Sequence, residues 1–221
     1  ATVNVQNPIS NLRVIADAYA SPCGQGVRAT DKVVTAGTAE MGGGEFYIQE
    51  QNRTSGMRVV SSEIVEEGDV VTVTGPLVND AGEESISPTG VVISKHLLTL
   101  LTPVAMSNMA IGGGDCAQAR GVTGGTGLRN IGLLIRTHGK VTYVGGEEES
   151  FFYIDDGSGL NDGSGHKGLR VACRGLAKPA PDAYLVVTGV SASQELDGKI
   201  IRLLKPRRDG DISVIDTRAG N

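Results

Sequence analysis

The chain contains an internal duplication, in which three short segments recur in the same order. The first copy reads FYIQE at residues 46–50, GMRV at 56–59 and VTVTG at 71–75. The second copy reads FYIDD at residues 152–156, GLRV at 168–171 and LVVTG at 185–189. The duplication predicts two folded units of the same kind. Two copies of a small β-module more often bind or assemble than catalyse.

Both copies are rich in alternating Val and Ile residues, a pattern typical of β-strands. In the first copy we predict strands at 32–41, 45–49, 57–61, 69–77 and 86–94. In the second copy we predict strands at 133–144, 150–155, 168–174, 184–192 and 199–204, with a last extended piece at 211–215. The expected organisation is all-β, with modules at 26–94 and 130–221 and a Gly-rich connector at 95–129.

Residues 1–25 precede the first copy and belong to neither module. Val3 and Val5 alternate with polar residues, which predicts a strand. Apolar residues at helical spacing, with Ser10 as a possible N-cap, predict a short helix over 11–19. A strand outside both modules can pair with an exposed sheet edge, in its own chain or in another copy.

The composition favours a folded β-protein over a nucleic-acid binder. The 221 residues suit two domains of roughly 100 residues each. The 32 glycines fit a turn-rich protein, and aromatic residues make up only 4%, with no Trp. The formal net charge is −5, whereas sequence-independent binding to nucleic acid usually needs a basic surface. Nucleic acid is therefore an unlikely partner.

The sequence has no run of about 20 apolar residues, the length needed to span a bilayer as a helix. The most apolar stretch, 91–110, is interrupted by charged and polar residues and by a proline. The chain starts at Ala1, which fits a mature protein whose signal peptide has been removed. We therefore expect an extracellular or cell-surface location.

Three cysteines are spread along the chain. Cys23 and Cys116 lie in loop-like surroundings and could form a disulfide in an oxidising compartment. Cys173 lies in a strand pattern and is expected to pack as a small apolar residue. None of the three has metal-ligand spacing.

The strand order of each copy resembles a known fold. A long first strand, a hairpin reading FYIDDGSG before GLRV, and a later strand ending in VTG resemble the OB-fold of the tRNA-anticodon-like type. The stretch NIGLLIRTHGKV at 130–141 is similar to uncharacterised secreted bacterial proteins with tandem OB-folds. The resemblance implies two tandem five-stranded OB-like β-barrels. Such barrels are partly open, and their exposed face and loops can take oligonucleotides or oligosaccharides.

Strand alternation separates core residues from candidate contact residues. Phe46 and Ile48 share one face of their strand, and that face must fill the interior. Tyr47 and its counterpart Tyr153 then lie on the opposite, exposed face. Arg58 and Arg170 follow on the next strand. We therefore predict a weak ligand-binding set of Tyr47, Arg58, Tyr153 and Arg170.

The sequence shows no motif of an enzyme or a metal site. His96, His138 and His166 are isolated from other possible ligands. The loop at 155–165 is rich in Asp, Ser and Gly, so a calcium site is conceivable, but its spacing fits no known calcium loop. A solvated hairpin loop is the preferred interpretation. We predict no catalytic residue, no metal and no cofactor.

Charge and the terminal strand point to self-association. Basic residues cluster after the last predicted barrel strand, at Arg202, Lys205, Arg207 and Arg208. They could meet acidic residues of a neighbouring subunit, such as Glu147–Glu149 or Glu63, Glu66 and Glu67. The terminal strand offers Thr2, Val3, Asn4 and Val5 for pairing with another copy, and such head-to-tail contacts can generate open filaments.

Three hypotheses follow from the sequence. The favoured one is a non-enzymatic extracellular structural protein that assembles with itself, as a filament subunit joined through its N-terminal strand. The second is a binding module for an oligosaccharide or single-stranded nucleic acid. The third, an enzyme, has no support from individual residues.

Overall fold

The computed structural model describes residue 9 and residues 26–116 and 119–215. The fold is all-β, with 48% of residues in strands and 4% in helices. The predicted N-terminal strand and the helix at 11–19 lie outside the described residues. Among the described residues, no helix is long and apolar enough to cross a membrane.

The first sheet has six strands, in the order β1-β2-β3-β5-β4-β6. Their bounds are β1 Gly26–Ala36, β2 Phe46–Gln49, β3 Gly56–Val59, β4 Asp69–Asp80, β5 Glu83–Ile86 and β6 Gly90–His96. Strand β1 pairs with β4 as well as β2, so five strands form a closed circuit of pairing. Strands β3 and β5 pair in parallel, and the other pairs are antiparallel.

The second sheet has seven strands, in the order β13-β11-β12-β10-β9-β8-β7. Their bounds are β7 Val104–Ala105, β8 Leu134–Val144, β9 Phe151–Asp155, β10 Leu169–Ala172, β11 Tyr184–Leu196, β12 Lys199–Lys205 and β13 Ile212–Val214. Strand β8 also pairs with β11, and β10 pairs with β12 in parallel. The circuit of the first sheet is thus repeated, which confirms the predicted tandem β-architecture.

Each sheet encloses its own apolar core, as the alternation of the repeated segments predicts. Phe46 and Ile48 are fully buried in the first core. Their counterparts Phe152 and Ile154 are fully buried in the second core. Burying a side chain of this size from water contributes about 1.5–3 kcal/mol, so the repeated FYI pattern is chiefly a core signature.

The last predicted strand of the first module differs from the observed one. One strand was expected at 86–94, but β5 ends at Ile86 and β6 begins at Gly90. The backbone of residues 87–89 bonds to Pro76 and Thr74 of β4, so the chain stays on the same side of β4 across the break. Strand β6 therefore continues the line of β5 along β4 and ends the sheet.

The connector is packed in its second half and exposed in its first. Strand β7 pairs with β8, and Val122 and Ile131 pack with Ile200 of the second module. By contrast, the side chain of Leu98 is 101% exposed and that of Leu100 is 43% exposed. The apolar residues of the connector predict a partly packed segment, but the described part of the chain does not cover these two leucines.

Candidate functional site

Corresponding positions on the two modules form two comparable faces. The outward residues of the FYI and GLRV-type segments are Glu45, Tyr47 and Arg58 in the first copy, and Phe151, Tyr153 and Arg170 in the second. We call the first set the first-module face. Four of these six residues form the predicted ligand-binding set. Whether they can contact a ligand depends on how exposed each face is.

The first-module face is covered by the second module. Tyr47 is fully buried, and its ring packs with Val190 of β11. Lys205 Nζ donates hydrogen bonds to Tyr47 Oη at 2.9 Å and to Glu45 Oε1 at 2.8 Å. Tyr47 Oη in turn donates to Glu83 Oε2 at 3.2 Å. This face is therefore an interface between the modules.

Several charges are buried in this interface. Arg58 pairs with Asp80, with Glu45 Oε2 at 3.5 Å and with Glu83 Oε2 at 3.8 Å. Glu83 has no exposed side-chain surface, and its burial raises the pKa of its carboxyl, although Lys205 and Arg58 favour the charged form. Burial also raises the pKa of Tyr47 well above its usual value. The interface thus combines desolvated charges with specific partners.

The expected exposure of Tyr47 is wrong. Alternation correctly places its ring opposite the core, but β11 and β12 of the second module lie on that side. Arg58 is also buried, with 7% of its surface exposed, and carboxylates of its own module surround it. Neither side chain is accessible to a ligand in this arrangement.

The second module carries a cluster of aromatic side chains on the corresponding face. We call Tyr143, Phe151, Tyr153, His166 and Arg170 the aromatic face. The rings of Tyr143 and His166 stack with centroids 3.6 Å apart, and Arg170 Cζ lies 3.7 Å from the centroid of Phe151. Tyr143, Phe151, His166 and Arg170 are half-buried. This face is therefore partly open to solvent.

Tyr153 lies at the bottom of the aromatic face and is also fully buried, contrary to its expected exposure. The hairpin loop folds over it, because Tyr153 Oη donates to Asp162 Oδ2 at 3.0 Å and His166 lies 5.2 Å from its ring. Burial raises the pKa of Tyr153 to about 12. Sequence reasoning missed Tyr143, Phe151 and His166. The strand alternation that places Tyr153 on the outward face places Phe151 there as well, so the sequence pattern could have identified Phe151.

The basic cluster of β12 and the residues after it contacts its own chain. Arg202 is buried and donates to the carbonyl oxygens of Ile111 at 2.7 Å and Met109 at 3.2 Å. Lys205 belongs to the interface described above. These two side chains, expected to meet a neighbouring subunit, instead hold the connector and the first module in place.

Arg207 and Arg208 also bind within the chain. Arg207 Nη1 donates to Thr35 O at 2.9 Å and pairs with Glu67, while its Nε donates to Asp211 Oδ2 at 2.9 Å. Arg208 pairs with Glu40 and Glu67. Glu67 was predicted as an acidic partner of this cluster, but the contact is intramolecular rather than between subunits.

The remaining sequence predictions fall partly outside the described residues. Cys23 and residues 2–5 belong to the undescribed segments, so the disulfide and the strand stay predictions. Cys173 is buried, and burial raises the pKa of its thiol. In the hairpin loop, Asp156, Asn161 and Asp162 accept hydrogen bonds from backbone N–H groups two residues later. These oxygens stabilise the loop itself.

Comparison with known proteins does not assign the chain to a family. No protein-family model matches it, and no curated protein matches it. The geometry leaves two candidate functional features: the aromatic face of the second module, and the sheet edges that have no partner strand among the described residues.

Proposed function

We propose that this chain is a non-enzymatic extracellular structural protein that assembles with itself, as a subunit of a surface filament joined by β-strand addition. In this proposal each module is an OB-like β-barrel. The pairing order supports it, because β1-β2-β3-β5-β4 closes through β1 and β4, with β3 and β5 parallel. The second module repeats this order from β8 to β12.

Strand β6 is the observation that carries the proposal. It is seven residues long and pairs with β4 on one side, and it has no partner on the other side among residues 26–116 and 119–215. Val92 is 63% exposed and Ile93 is 49% exposed. An unpaired edge with exposed apolar residues is a template for a strand from another chain.

The N-terminal segment supplies a donor of the right pattern. Val3 and Val5 would lie on one face of an added strand, and Thr2 and Asn4 on the other. Because β6 ends the sheet, the added strand would extend it by one. A donor on one copy and an acceptor on the next form a heterologous contact, which grows into a filament when the rotation does not close.

The buried interface between the modules would keep them together in a filament subunit. Arg207 and Arg208 reach across to Thr35, Glu40 and Glu67, adding to the contacts of Lys205. Gly56 and Gly132 approach so closely that a Cβ on Gly56 would lie 2.1 Å from Gly132 O. These contacts support two modules that move as one body.

Placing Lys at both Val92 and Ile93 is expected to abolish assembly, because charge on an edge strand opposes strand addition. The unmodified protein should show a molar mass that rises with concentration in light scattering, and the variant should remain monomeric. Leu128→Lys is the control, since Leu128 is 91% exposed on the connector, away from β6. Assembly of the Val92→Lys/Ile93→Lys variant at the unmodified level would contradict the proposal.

A second candidate function is ligand binding at the aromatic face, as in an OB-fold binding module. The specific observation is the half-open cluster of Tyr143, Phe151, His166 and Arg170 on β8 to β10. Glu149 Oε2 accepts a hydrogen bond from Tyr143 Oη, and Asp162 accepts one from Tyr153. These carboxylates would repel phosphates, so a neutral oligosaccharide is favoured over single-stranded nucleic acid.

Phe151→Ala is expected to weaken binding of cellohexaose about tenfold, because the sugar loses the ring that it packs against, and a tenfold loss corresponds to about 1.4 kcal/mol. Calorimetric titration measures this, with a single-stranded oligo-dT as the competing ligand class. Ile64→Ala is the control, because Ile64 is 82% exposed on the first module. Equal binding by Phe151→Ala and the unmodified protein would dismiss this site.

A further inference from the structure

Strand β8 carries a row of basic side chains on its outer surface. Arg136, His138 and Lys140 alternate with the buried residues Thr137 and Gly139. We call these three residues the basic row. Arg136 and His138 are exposed, and Lys140 is half-buried. Successive members lie about 6.8 Å apart along the strand, because an antiparallel strand rises about 3.4 Å per residue.

The strand beside the row adds a ring and a hydroxyl. In the register of β8 with β11, Thr188 lies opposite Arg136, and Tyr184 lies opposite Lys140. Arg136 Nε donates to Thr188 Oγ1 at 3.0 Å, which ties the guanidinium to β11, and Thr188 itself is buried, with 5% of its surface exposed. Tyr184 is 47% exposed.

The third strand of this surface contributes a further hydroxyl. Strand β13 pairs with β11, and Ser213 lies opposite Val186, which in turn lies opposite His138. Ser213 is exposed, and Val186 is half-buried. The outer surface of β8, β11 and β13 is thus a three-stranded patch with a basic row, an exposed hydroxyl group and an aromatic ring at one end.

Little negative charge opposes the basic row. Lys140 Nζ lies 2.8 Å from Asp182 Oδ1, but both side chains are exposed, at 43% and 80%. Exposed ion pairs of this kind are weak and exchange readily for another partner. Asp155 lies opposite Lys140 on β9, yet it pairs with Lys167 at 2.6 Å. On a chain with a net charge of −5, this surface is locally basic.

We propose that the outer surface of β8, β11 and β13 binds an extended acidic polysaccharide. The basic row contacts successive acid groups of the polymer, and Tyr184 packs against a sugar ring. Ser213 provides an exposed hydroxyl group for a hydrogen bond to a sugar hydroxyl. A single-stranded nucleic acid would need several rings for successive bases, whereas this surface has one. The site shares β8 with the aromatic face but none of its named residues, it does not include β6, and it does not depend on self-assembly.

The test measures binding of polygalacturonate to the folded full chain by affinity electrophoresis at low salt. The unmodified protein should be retarded by polygalacturonate and not by dextran, a neutral polymer. The variant R136Q/H138Q/K140Q should bind about tenfold more weakly, because several individually weak exposed contacts to the polymer are lost together. Tyr184→Ala should also weaken binding, and this loss should persist at high salt.

The control is R28Q/R120Q/K199Q, which removes three exposed basic residues elsewhere and one more formal positive charge than the test variant, whose histidine is neutral at pH 7. It should bind like the unmodified protein, so that a loss confined to the basic row identifies the site rather than the net charge. Circular dichroism confirms that each variant is folded. Absent retardation of the unmodified protein, equal losses in the two triple variants, or tighter binding to oligo-dT than to polygalacturonate would each overturn the proposal.

Discussion

Lys205→Met is expected to lower the free energy of unfolding by about 2 kcal/mol, because Glu45 and Tyr47 both lose a buried hydrogen-bond donor, although Arg174 still pairs with Glu45. The side chains of Lys205 and Glu45 are only 11% and 17% exposed. Methionine keeps most of the apolar volume, so the loss reports on the charge and the hydrogen bonds. Urea denaturation followed by circular dichroism measures the change.

Lys140→Met provides the matched control for Lys205→Met. Its partner Asp182 is 80% exposed, so the same substitution should leave the denaturation midpoint unchanged within error. Similar losses in the two variants would mean that the interface charges do not hold the modules together. A double variant with Glu45→Gln should lose less than the sum of the single changes, since the two residues share one contact.

Gly56→Ala is expected to destabilise the protein by about 3 kcal/mol, at the upper end for an overpacked site. The added Cβ would lie 2.1 Å from Gly132 O and 2.9 Å from Leu133 N, both backbone atoms of the second module. The backbone of Gly56 does not have a positive φ, so the effect is steric rather than conformational. Thermal unfolding should show a lower midpoint.

Gly146→Ala is the control for this clash. A Cβ on Gly146 would meet nothing within 4 Å, and its φ is not positive. This change should be neutral or slightly stabilising, by up to about 1 kcal/mol. If Gly56→Ala were as stable as Gly146→Ala, the close approach of the modules at Gly56 and Gly132 would be wrong.

The duplicated segments predicted the two cores well, because alternation within a strand is a local signal. Phe46, Ile48, Phe152 and Ile154 are all fully buried where the pattern placed them. The same pattern could not show what covers the opposite face. Tyr47 meets Lys205, which lies 158 residues away in the sequence, and no local signal encodes such a contact.

The positions at which the two copies differ were more informative about the first-module face than the positions that they share. Glu45 occupies the position of the repeat that is Phe151 in the second copy. The first copy therefore has a charged side chain where the second copy has an aromatic ring. In the structure, Glu45 binds Lys205 and Arg174 of the second module. A polar residue at a position that is aromatic in the other copy was thus a sign of an interface between the modules.

The basic residues also show that sequence patterns do not predict which side chains are exposed. Clustering drew attention to Arg207 and Arg208, yet both side chains pair with Glu67 of the same chain. Arg136 and His138 are separated by a buried residue and form no cluster in sequence, but their strand presents them together to solvent. Exposure depends on register with neighbouring strands, which the sequence does not specify.

Negative-stain microscopy of the native protein directly tests self-assembly through strand addition. We predict elongated particles whose length increases with protein concentration, and single compact particles after deletion of residues 1–7. Leu128→Lys should give the same elongated particles as the native protein. Compact particles of one size at every concentration, with or without residues 1–7, would contradict the account.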